Sequence, residues 1–126
     1  MFNMFDKELV RDILYQILDA TQKVSQRFEQ IKIVSDFTNS PAGIEKLDSI
    51  CMLLIAIGES LKNIDKITRK SLLKQYPEID WKGAKGLRDI ISHQYFDVDA
   101  EEIFWVCEKH IPPLSKSIEK MISDLK

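Results

Sequence analysis

Glycine and proline are scarce in this chain, four of each among 126 residues. Few tight turns can be built from so few of either, so the regular elements should be long. Long apolar runs are missing as well. The longest, Ile50 to Ile57, has eight residues, against the roughly 20 a helix needs to span a bilayer. The opening residues, Met1 to Asp6, carry neither the basic stretch nor the apolar core of a secretory signal. Two cysteines, Cys51 and Cys107, occur without a CxxC or a Cys/His cluster. They read as buried thiols of a reducing compartment rather than as a disulfide or metal ligands. No large excess of one charge is present either. A net charge of −2 excludes coating of nucleic acid by bulk electrostatics, though not a local phosphate site. The expectation is a cytoplasmic protein, one domain over residues 1–126, burying roughly two-thirds of its unfolded surface.

What is present is helical patterning. From about Asp6 to Ile33, Val10, Ile13, Leu14, Ile17, Leu18, Val24, Phe28 and Ile31 recur at three and four residues, with Arg11, Asp12, Gln16 and Lys23 opposite. The segment from Ser35 to Pro41 has turn chemistry, and Ser40 is a natural N-cap with Pro41 at the first helical position. A second helix, Pro41 to about Lys70, carries Leu47, Ile50, Leu54, Ile57, Leu61 and Ile64 at alternating spacings of three and four. Its centre is apolar nearly all round and must be covered on more than one side. In so small a domain part of that cover is expected from a second subunit, a homodimer. After a connector containing Tyr76-Pro77, Asp80 caps a short helix from Trp81 to about Ser92. Asp97 or Asp99 caps a further one, with Glu101 and Glu102 suiting its macrodipole. Pro112-Pro113 should kink or restart this last helix. The fold class is all-α: a four- to five-helix bundle, antiparallel where connections are short.

One stretch stands apart, Arg88-Asp89-Ile90-Ile91-Ser92-His93-Gln94-Tyr95. It joins a fixed guanidinium, an imidazole that titrates near neutrality and a phenol. These groups suit phosphate chemistry. Residues five apart on a helix lie about 140° apart. Arg88 and His93 therefore share a face only if the helix ends near Ile91 or Ser92, or if they meet across a subunit interface. The apolar pattern favours the first, with Ile90 and Ile91 as buried anchors. A purely structural role is also open: Arg88 paired with Asp89 or Asp97, His93 at the helix end, Tyr95 and Phe96 in the core. His110, before Pro112, reads as a helix-end residue. Lys62, Lys66, Arg69, Lys70 and Lys74 form either a basic flank or a solvated face. Trp81 and Trp105 read as core or interface anchors, and Glu59 as partly buried at a helix crossing.

The run Tyr76-Pro77-Glu78-Ile79-Asp80-Trp81, followed by Gly86 through Asp99, closely resembles the HEPN superfamily, and more narrowly its HepT-like toxins. Ile57-Gly58-Glu59 matches a recurring helix motif of that family. The resemblance covers about Asp48 to Leu114. Asp89 and Gln94 stand where the family often has asparagine and glycine. What it implies is a HEPN-like helical fold and a metal-independent endoribonuclease toxin without cofactors. A homodimer cleft would hold catalytic Arg88 and His93, with Asp89 and Ser92 in support. His93 would move the proton in attack of a ribose 2′-OH on the adjacent phosphate, and Arg88 would stabilise the pentavalent phosphorus. The implied partners are an RNA substrate and a minimal nucleotidyltransferase antitoxin that adenylylates Tyr95. The alternative is a non-catalytic helical subunit that holds substrate or nucleotide for a nucleotidyltransferase.

Overall fold

The computed structural model describes residues 5–93 and 98–126, without the side chain of His93. No strand occurs among the described residues. Among the described residues, six α-helices follow one another: α1 (Lys7–Phe28), the single turn α2 (Ser35–Thr38), α3 (Pro41–Thr68), α4 (Trp81–His93), α5 (Ala100–Trp105) and α6 (Ile111–Asp124). A 3-10 turn at Leu73–Gln75 breaks the connector before α4, and a π turn at Val106–His110 joins α5 to α6. The all-α expectation holds.

Asp6 caps α1 by accepting from the Leu9 amide at 3.0 Å. The helix ends at Phe28, five residues before the expected Ile33. The cause is Asp36, whose carboxylate accepts from the amides of Lys32 and Ile33 at 2.8 and 3.1 Å. A side chain that captures backbone donors in this way competes with helix continuation. Those two hydrogen bonds, Lys32 first, hold the Asp36 carboxyl below its usual value. The segment read as a plain turn instead forms α2, which buries Phe37. Ser40 and Pro41 then open α3 as expected, with Ser40 Oγ accepting from the Gly43 amide at 3.1 Å. Gly43 has no substitute here, since a Cβ would lie 2.1 Å from the Asp36 carbonyl oxygen.

The seam of α3 is buried throughout, from Leu47 to Ile64. It packs on α1 and α4, and α1 packs in turn on α6. Arg11 at the start of α1 donates to the Leu125 carbonyl just beyond α6, and Thr21 further along donates to Ser115 near the start of α6. The two helices are therefore antiparallel. Arg11, placed by sequence on the exposed face, is half-buried in making this tie. The centre of α3 is less fully covered than its composition predicts. Cys51, Leu54 and Ile57 are buried, Leu53 and Ile55 half-buried, and Met52 is 73% exposed.

The connector crosses α6, where Tyr76 donates to Asp124 at 2.6 Å and Ser117 donates to Glu78 at 3.2 Å. Trp81 is buried and donates from its indole nitrogen to the Tyr76 carbonyl at 2.9 Å. Trp105 is no core anchor, being 54% exposed. Pro112 and Pro113 supply no amide to the turn before them. The helix widens there, and the Ile111 amide reaches back to the Val106 carbonyl.

Candidate active site

Helix α4 carries the motif, and its position is set by where it crosses α3. A Cβ at Gly58 would stand 3.1 Å from the Ala84 carbonyl oxygen and 3.3 Å from that of Lys85. A side chain there would fit only if α4 gave by a few tenths of an ångström, so glycine suits the close approach of the two backbones. Two ion pairs flank the crossing: Asp65 with Lys85 on one side, Glu59 with Arg88 on the other. Their order along the two helices makes α3 and α4 antiparallel. Leu87 and Ile91 face the core. Ile90 does not: it is 39% exposed. One apolar position per turn suffices to hold a helix on a single neighbour, and neighbouring residues lie about 100° apart around the axis.

Asp80 caps α4, accepting from the Gly83 amide at 3.0 Å. The helix runs through His93 rather than ending near Ile91 or Ser92. No glycine or proline follows Gly86 within it, and buried Ile91 pins its last turn. A break that re-aims His93 within the chain is thereby removed. Arg88 and Ser92 sit one turn apart, as do Asp89 and His93, and the two pairs occupy adjacent strips of the helix. Gln94, Tyr95, Phe96 and Asp97 lie outside the described residues, so the Tyr95 assignment and an Arg88–Asp97 pair stay as sequence expectations.

The Arg88 guanidinium is half exposed. Its Nε lies 3.9 Å from Glu59 and its Nη1 4.0 Å from Asp89. Contacts this long between solvated groups hold a side chain loosely. Glu59 is itself half exposed at the crossing and also pairs with Lys62 at 3.4 Å. Its contact with Arg88 escaped sequence reasoning, because 29 positions separate them and only Gly58 hinted at the crossing. Ser92 is exposed. Among the described residues, no three of His, Cys, Asp and Glu gather as a metal ion would need.

The described residues thus form an all-helical bundle that carries a cation and a histidine on one short helix. Residues 17–121 match the family model described as Ribonuclease HepT-like, and the chain belongs to that family. Two Methanocaldococcus jannaschii proteins assigned as RNases are similar to it. One is 32% identical over 125 residues, covering 94% of this chain and 92% of the relative. The other is 33% identical over 119 residues, covering 94% and 96%. A Thermococcus cleftensis protein whose name assigns it as ribonuclease HepT is 28% identical over 99 residues, covering 74% and 86%. No solved structure matches the chain. Among the described residues, no helix is long and apolar enough to cross a membrane.

Proposed function

We propose that this protein is a metal-independent endoribonuclease toxin that cleaves RNA with Arg88 and His93 in a homodimer cleft. The observation that carries this reading is the half-exposed Arg88 on the helix that His93 closes, in a chain of the HepT-like ribonuclease family. His93 takes the proton from the attacking ribose 2′-OH and returns one to the leaving oxygen, and Arg88 balances charge on the pentavalent phosphorus. Asp89, one turn before His93, orients the imidazole; Ser92 does the same for Arg88 or the phosphate. The second copy would sit on the strip of α3 formed by Met52, Ile55 and Ala56. That strip leads directly to Glu59 and Arg88, so a dimer there brings two motifs together. Tyr95 is where a minimal nucleotidyltransferase adds AMP, and the adduct fills the cleft with bulk and negative charge.

Cleavage of RNA in EDTA tests the assignment. Arg88→Ala and His93→Ala each lose at least ~100-fold in rate while far-ultraviolet dichroism stays helical. Parental rates in both variants would sink it. The two carboxylates beside Arg88 favour a second reading, a non-catalytic subunit that holds a nucleotidyltransferase's substrate. That reading requires a wild-type protein without ribonuclease activity.

A further inference from the structure

Along the α3–α4 crossing, the two helices enclose an open groove of about 520 Å³. Lys62, Lys66 and Lys70 line one wall, and Lys82 and Lys85 the other. Asp65 and Asp89 are the acidic groups in the lining, so positive charge dominates. Lys62 and Lys85 are engaged with Glu59 and Asp65. Lys66, Lys70 and Lys82 have no ion pair among the described residues.

Two further features open on this groove: the capping turn that ends α3, and a glycine that no neighbour requires. Arg69 and Lys70, just past the end of α3, have φ of 53° and 63°. Two successive left-handed residues that are not glycine carry a steric cost, and the turn they make delivers Lys70 to the groove. Gly86 lies in the middle of α4, where glycine weakens a helix. A Cβ there would meet nothing within 4 Å, so no neighbour requires its absence. What its absence does is leave the groove floor bare, open to close approach by a ligand's backbone. The groove ends at Asp89, next to Arg88.

We infer that this groove is a phosphate-tracking subsite: it holds a single RNA strand by its backbone, without base recognition, and feeds it to Arg88 and His93. The inference rests on the ribonuclease reading. Lys62 and Lys66 stand one turn apart on α3 and Lys70 follows just beyond its end, so the wall offers its cations to successive phosphates rather than to a single one. Asp65 and Asp89 temper the field, which suits a substrate that must also be released.

The test is binding of a fluorescent single-stranded RNA of mixed sequence to His93→Ala protein, by anisotropy across a salt series. Combining Lys66→Gln, Lys70→Gln and Lys82→Gln should weaken binding by about tenfold or more, and lower the slope of log K against log salt by about 2. A control pair on other faces, Lys32→Gln with Lys116→Gln, should leave the slope in place. Lys70→Gly separates binding from folding, because glycine relieves the left-handed turn: Tm should rise while RNA affinity falls. If wild-type protein cleaves RNA but the triple variant binds with parental affinity and slope, the groove assignment is overturned alone, and its charge then belongs to an acidic protein partner. If wild-type protein neither binds nor cleaves RNA, the ribonuclease reading falls with it.

Discussion

Trp105 and His110 are five residues apart, yet their rings meet edge to face with centroids 4.3 Å apart. The π turn between them makes this possible, since it winds more residues into each turn than an α-helix. Arg88 and His93 are also five apart, but α4 between them is regular α-helix. There the same separation turns the backbone by about 140°. The two positions therefore lie on different sides of the α4 backbone, and the proposed site brings them together through a second copy.

Mixed dimers test that geometry. In a composite site, Arg88 of one chain works with His93 of its partner. Arg88→Ala and His93→Ala proteins, each inactive alone, should regain about a quarter of the wild-type rate when refolded together in equal amounts. Half of the dimers are then mixed, and each holds one intact pair. Cleavage that stays at the level of the separate variants would place both groups of a site in one chain.

Much of the fold was legible because its signals are local. The α3 seam, the Ser40-Pro41 start and the caps at Asp80 and Asp99 depend on neighbours within a few residues. What was not legible depends on long-range partners. The early end of α1 is set by Asp36 reaching back to Lys32 and Ile33. The second wall of the lysine groove comes from α4, so Lys82 and Lys85 could not be grouped with Lys62 and Lys66 until the Gly58 crossing was known. Arg69 and Lys74 joined the basic flank by sequence proximity, yet neither lines the groove.

That crossing makes Gly58 sensitive. Gly58→Val adds three carbons where the nearest atoms are two carbonyl oxygens of α4. Better helix propensity offsets little of the overpacking, and a loss of about 2 kcal/mol is expected. Displacing α4 also moves Arg88 from Glu59, so RNA cleavage should fall further than folded fraction alone explains. Urea unfolding and cleavage rates measured on one preparation decide it, and an unchanged midpoint counts against close helix contact.

Met52, 73% exposed at the centre of α3, is the sharpest probe of the proposed dimer face. Met52→Lys leaves the buried seam untouched, so the monomer should stay helical with nearly unchanged stability. A lysine in an apolar interface lacks a partner and should shift the protein toward monomer, with loss of RNA cleavage that higher concentration partly restores. Sedimentation velocity reads the assembly. Wild-type protein that is already monomeric at working concentrations removes the premise.

The Tyr76–Asp124 hydrogen bond ties the connector to α6 and predicts two pH limbs. Burial, followed by the hydrogen bond to Asp124, pushes the Tyr76 hydroxyl well above its ordinary value. The same bond, and Lys120 nearby, hold the Asp124 carboxyl below its own. For Asp124 the folded state binds the proton more weakly than the unfolded chain. Its contribution is complete above the unfolded value near 4 and disappears as pH falls through the lowered folded value. For Tyr76 the folded state keeps the proton longer. That contribution is complete below about pH 10 and is lost as the unfolded phenol ionises above it. Tyr76→Phe should lower Tm at neutral pH and flatten both limbs, because neither titration remains linked to folding through this bond. Thermal melts from pH 2 to 11 on both proteins provide the measurement. Parallel Tm profiles would mean that the hydroxyl and the carboxylate do not sense each other in solution.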